Sequence, residues 1–88
     1  MFRPLKGFKA QYHDLTLMVA ADFDEYRVMI QAPGTVVQGR RQFTEAKAKE
    51  HARDMAANYM KEKEPDVVPP EGIEWIPFGA TDWLAWNP

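Results

Sequence analysis

Cysteine and serine are both absent from these 88 residues. The missing thiols exclude disulfides, thiolate metal sites and cysteine nucleophiles, and they leave a short chain without a covalent staple. Without serine the common hydrolytic triads have no nucleophile, and Thr16, Thr35, Thr44 and Thr81 each have a strand, turn or cap role that accounts for them. Histidine is scarce. His13 and His51 are the only imidazoles and lack the HxxxH or HExxH spacing that seats a metal on one helix face. The His13-Asp14 dipeptide reads as a polar strand entrance, and His51 as a structural or solvated residue flanking a helix. The acidic run Asp22, Asp24 and Glu25 lacks the ligand spacing of a calcium loop, and no Gly-rich phosphate loop occurs. The composition therefore predicts a non-enzymatic protein with no catalytic residues, no cofactor and no metal.

Long apolar runs are missing too. The longest, Leu17 to Ala21, falls far short of the roughly 20 residues a spanning helix needs. Arg3, Lys6 and Lys9 are not followed by an apolar stretch of signal-peptide character. A cytoplasmic location with no membrane partner is the default expectation. The length sets one domain, 1–88, whose small core suits one helix packed on one sheet.

The net charge of -2 conceals an uneven distribution. Residues 1–34 balance to zero, residues 35–63 carry seven basic against four acidic side chains, and residues 64–88 hold five acidic side chains and no basic one. Such segregation favours pairing within the chain or between chains.

Two strands are expected first. Leu15 to Ala21 and Tyr26 to Ala32 alternate with period two, and Asp22-Phe23-Asp24-Glu25 between them has hairpin-loop composition. Pro33-Gly34 supplies a fixed φ followed by a tolerated positive φ, the chemistry of a type II turn. A third strand then spans about Thr35 to Gln42, with a bulge or strand end at Gly39.

Thr44 is the expected N-cap of a long helix, with Glu45 suited to its positive end. Ala48, Ala52, Met55, Ala56, Tyr59 and Met60 fall on one face, and Lys47, Glu50, Asp54, Asn58 and Lys61 on the other. Pro65 ends the helix near Glu64. Asp66 to Gly72 reads as an extended, polyproline-biased connector. Ile73 to Phe78 is a candidate edge strand, because Pro77 cannot donate to a ladder. Thr81 to Trp86 forms one helical turn capped by Thr81, or lies extended. The expectation is an α+β fold: an antiparallel three- or four-stranded sheet with one long helix on one face, in the order β-β-β-α-β.

All three tryptophans, Trp75, Trp83 and Trp86, lie in the Pro/Trp-rich acidic segment 64–88. With Phe78 they are the candidate protein-interaction residues, since Trp is a frequent hot-spot anchor. The segment either covers the second face of its own sheet, the favoured reading, or docks on another chain. Arg40, Arg41, Lys47 and Lys49 are candidate nucleic-acid contacts, because helix N-termini attract anions. The competing reading is a solvated helix laced with ion pairs such as Glu45 with Lys49.

The order of elements, with Tyr26-Arg27-Val28, the Pro33-Gly34 turn, Gly39, the Thr44 cap and the run Ala48, Ala52, Met55, Ala56 and Tyr59, resembles the N-terminal domain of HicB-type antitoxins over residues 15–62. That resemblance implies a partial RNase H-like fold and a chain that masks a partner protein through its sheet or helix face. Lys47 stands where the family's capping box carries Glu. The outline is also similar to double-stranded-RNA-binding domains, although Phe43, Thr44 and Glu45 stand where their helix N-terminal lysines would be wanted. Three functions follow: a regulatory or protein-interaction module that pairs with a partner or with itself as a homodimer, a nucleic-acid-binding domain, and a domain with a purely structural role.

Overall fold

Hairpins build most of the sheet in sequence order. The computed structural model describes residues 6–22, 24–63 and 73–86. Strands β1 (Gly7–Tyr12), β2 (Leu15–Asp22), β3 (Glu25–Ala32) and β4 (Thr35–Gln38) precede helix α1 (Glu45–Lys63), then β5 (Ile76–Pro77) and helix α2 (Ala80–Ala85). All pairings are antiparallel, in the spatial order β4-β3-β2-β1-β5. The α+β fold is as expected, with five strands instead of three or four. The added strand is β1, where Phe8, Ala10 and Tyr12 alternate with Lys9 and Gln11 inside a stretch whose basic residues disguise the pattern. The expected connector Asp66 to Gly72 and the helix stop at Pro65 lie outside the described residues.

Register explains where the core sits. Phe8, Val19 and Val28 form one row across the sheet, and Ala10, Leu17, Ile30 and Val37 the next. These rows face α1, which lies over β2 and β3 and buries Ala48, Ala52, Ala56 and Met60 against them. Alanine methyls bring the helix axis close to the sheet, while Met55 and Tyr59 close its flanks. Lys47, Glu50, Asp54, Asn58 and Lys61 lie away from this core, as the periodicity requires. Thr44 caps the helix: its Oγ1 accepts from the Lys47 N–H at 3.1 Å, and its carbonyl from the Ala48 N–H at 3.0 Å.

The turns carry the local strain. Gly34 adopts φ 79° in the two-residue turn between the paired Ala32 and Thr35, a geometry that costs glycine little. Beyond β4, Met29 faces Gln38 whereas Tyr26 faces Gln42, so the later strand holds one extra residue around Gly39 to Arg41. Of the alternatives expected at Gly39, a bulge or a strand end, both are present, since β4 ends at Gln38 and the bulge follows it. His13 opens the two-residue β1–β2 turn at φ 55°, and it is the one non-glycine with positive φ among the described residues. Hairpins favour glycine there. His13→Gly is therefore expected to stabilise the fold by about 1 kcal/mol, a gain moderated by loss of the edge-on Tyr12–His13 ring contact. Thermal unfolding checks it: Tm rises by several degrees, and an unchanged or lower Tm would show that the histidine conformation is not strained.

The opposite sheet face is covered as well. Met18, Ala20 and Met29 point away from α1, yet they are as buried as the core residues beneath the helix. The C-terminal segment supplies that cover. Ile73 and Trp75 pack on the α1 side, β5 joins the β1 edge, and Phe78 then turns onto the far side of the sheet over Gly7. The chain thus hooks around β1 from one face to the other.

Candidate functional site

The aromatic residues of the tail are held by their own domain. Phe78 donates its N–H to the Gly7 carbonyl at 2.8 Å and sits edge-on to Trp83 with ring centroids 4.9 Å apart. Its ring lies 5.9 Å from that of Trp86, which lines a small cavity with Arg27, Met29, Gln38 and Arg41. Trp75 is half-buried against the core beside Phe8. Lys49 Nζ stands 4.2 Å from the Phe8 ring centroid and 5.7 Å from that of Trp75, a cation–π bracket between helix and tail. The four candidate interaction residues are therefore divided between the two sheet faces, Trp75 on the side of α1 and the other three on the reverse.

One carboxylate pins the tail to the sheet. Asp82 Oδ1 accepts from Lys9 Nζ at 2.8 Å and Oδ2 accepts from the Gly79 N–H at 2.7 Å. The second bond makes Gly79 the N-cap of α2, in place of the expected Thr81, because the carboxylate at the third helical position reaches back to the cap amide. The Lys9 hydrogen bond, and after it the Gly79 amide, hold the Asp82 carboxyl below the ordinary aspartate range. A lowered folded-state value means that the attachment is complete above the ordinary aspartate pKa and is lost as pH falls through the lowered one. Asp82→Asn is expected to red-shift the emission of Trp83 and Trp86 at neutral pH in a Trp75→Phe background. The same variant should lack the acid-induced step that the parent shows below about pH 4. Unchanged emission in the variant would show that the ion pair does not hold the tail.

The basic candidates do not converge. Arg41 is paired with Glu25 at 3.2 Å and Lys49 with Glu45 at 2.9 Å, the latter an i,i+4 pair of the favourable orientation. Arg40 and Lys47 are exposed at the loop after β4 and on the first turns of α1. The Arg40 N–H donates to His51 Nε2 at 3.0 Å, which gives His51 a structural role in fixing that loop. His13 lies in the β1–β2 turn, remote in sequence and pairing from this contact. Among the described residues, no three His, Asp or Glu side chains gather to hold a metal, and no helix is long and apolar enough to cross a membrane. A cleft of about 460 Å³ opens on the far face between Gln11, Thr16, Gln31, Glu74 and the Lys9–Asp82 pair. Its walls offer amides, a hydroxyl and the Glu74 carboxylate beside the ion pair. Gln11 Oε1 already accepts from Thr16 Oγ1 at 3.2 Å.

An apolar surface absent from the sequence-based candidates lies along β4. All four residues of this strand are exposed, with Val36 52% and Val37 37% accessible, and Phe43 beyond it reaches 75%. The strand contains no charge and no proline. Its backbone is open on one side. The Gly39 N–H bonds to the Val28 carbonyl at 2.9 Å, and by antiparallel alternation Thr35 and Val37 also point their backbone groups toward β3. Those of Val36 and Gln38 point outward. The other sheet edge is closed by contrast, since β5 is two residues long and ends on Pro77.

Comparison of the chain with protein-family models, with curated proteins and with solved structures gives no match.

Proposed function

We propose that this chain is a non-enzymatic protein-interaction module that docks another polypeptide by strand addition along β4. One observation carries the reading: an uncharged edge strand, β-branched in three of its four residues, whose residues are all exposed and whose outward backbone groups have no partner among the described residues. Natural sheets blunt such edges with lysine, proline, a covering segment, short strands or bulges; β4 carries no lysine or proline and is covered by no segment among the described residues, which leaves its four-residue length and the bulge after Gln38 to limit pairing. Strand addition draws affinity from main-chain hydrogen bonds and selectivity from alternate side chains, which is what Val36 and Val37 offer on the two faces. The tail aromatics support this choice of surface by their engagement with their own sheet. Pairing of Arg41 and Lys49 with carboxylates favours a protein partner over phosphate contacts. The partner-masking role implied by the HicB-type resemblance belongs to the same class of function.

The test compares capture from native lysate by the parent chain and by Val36→Pro, whose proline removes an outward N–H and no bond of the β3–β4 ladder. The reading expects a defined protein bound by the parent and lost by the variant, with the circular dichroism of the two chains alike. Equal capture by both, or salt-sensitive recovery of nucleic acid in place of protein, would overturn it.

A further inference from the structure

We infer that the strand added to β4 is the β4 of a second copy, giving a two-fold dimer with one continuous ten-strand sheet. This rests on the docking role of β4 proposed above. Extending the sheet antiparallel about a two-fold axis normal to it keeps each face on its own side, so residues of one parity must meet each other. The outward backbone groups select the register. Val36 and Gln38 carry them, and pairing Val36 with its own copy lets two N–H···O=C bonds form across the axis while Gln38 meets Gly34 of the second copy. In that register Thr35 faces Val37 on the α1 side and Val36 faces Val36 on the other. Every pair at the centre is then β-branched, the type that strengthens adjacent strands.

Shape and charge permit this assembly. α1 lies over β2 and β3 and leaves β4 uncovered, so the two α1 helices would run about four strand spacings apart, roughly 19 Å, wider than a helix diameter of about 10–12 Å. The antiparallel arrangement sends Arg40 and its copy to opposite ends, about 26 Å apart at the rise of an extended strand. Pairing of β4 with the β5 edge of another copy would generate open filaments, and the short, proline-ended β5 disfavours it. The bulge after Gln38 limits the shared ladder to the four residues of β4 and their turn, which makes the dimer weak and concentration-dependent.

The self-pairing of one residue gives a specific test. Val36→Lys and Val36→Glu each place like charges opposite one another at the axis, and Val36 is exposed enough that neither should disturb folding. Sedimentation equilibrium up to millimolar chain is expected to show dimer for the parent and a roughly ten-fold weaker association for either variant alone. An equimolar mixture of the two variants is expected to recover dimer at least as well as the parent, because an ammonium and a carboxylate then face each other across the axis in the mixed pairs. A parent that stays monomeric at millimolar concentration overturns the inference while the β4-dependent capture above still decides the docking role. Dimer formation indifferent to both variants overturns the inference too, since the contact would then lie on another face. Variants that each weaken the dimer without recovery on mixing overturn the Val36-centred register. A foreign strand as the natural occupant would appear as β4-dependent capture by a chain that remains monomeric alone.

Discussion

Leu17→Ala is expected to lower the unfolding free energy by about 3–5 kcal/mol, the upper part of the range for buried leucine truncation. Leu17 is fully buried in β2, the central strand of the sheet, between Ala10 on β1 and Ile30 on β3. The cost of such a change depends on how far the surroundings collapse into the void. Here they have little to offer. Ala10 on one side and the Ala48, Ala52 and Ala56 stripe of the helix have no rotamer to swing inward. The strand backbones are fixed by ladders on both sides of β2. Of its two ladder neighbours, only Ile30 can lean into the space. A domain of this length typically has only about 5–15 kcal/mol of stability, so urea unfolding should show the midpoint falling by roughly a fifth or more. Leu17→Met, which keeps the volume, is expected to cost less than about 1.5 kcal/mol. Similar losses for the two variants would mean that α1 does not press on β2 as described.

The features legible in the sequence are those fixed within a few residues. Thr44 before Glu45, the alanine spacing of α1, the Pro33-Gly34 turn and the bulge at Gly39 all follow from local propensity or periodicity, and the Glu45–Lys49 pair follows from helix geometry. The features that escaped depend on which segment returns to which edge. β1 alternates correctly, but Lys9 and Gln11 sit on a face covered by a segment more than sixty residues later, and nothing local announces that cover. The cap of α2 at Gly79 depends on a side chain reaching backward from Asp82, which the nearer hydroxyl of Thr81 concealed.

The candidate docking edge escaped for a related reason. In a hairpin series followed by a helix, the last strand before the helix becomes an edge only if the next strand joins the far side. β5 joins β1, and β4 is left open. The tryptophan concentration was visible, whereas its division between two sheet faces was not. Besides the tryptophan-rich composition of the tail, a second sequence trace of the far-side packing is a missing side chain, at Gly7.

Gly7→Ala is the second change with a large expected effect. A Cβ at this buried position would place three ring carbons of Phe78 within 2.8 Å. Flexible side chains relieve such a clash by swinging away, as Met55 can at Gly39, but Phe78 cannot do so cheaply. Its backbone N–H is bonded to the carbonyl of Gly7 itself, and its ring is packed against Trp83 and Trp86. Relief requires the ring, and with it the contacts that seat α2, to lift from the sheet. The expected cost is about 2–3 kcal/mol, that of overpacking a well-filled site, with red-shifted tryptophan emission as the structural signature. Phe78→Ala separates steric conflict from any effect on the strand itself. In that background the added methyl has room, so Gly7→Ala should cost well under about 1 kcal/mol and the double-mutant cycle should return a coupling of roughly 2 kcal/mol. Additive losses would instead place the requirement for glycine in the backbone of β1, and the C-terminal cover would then rest on Asp82 and Lys9 without the Phe78 seat.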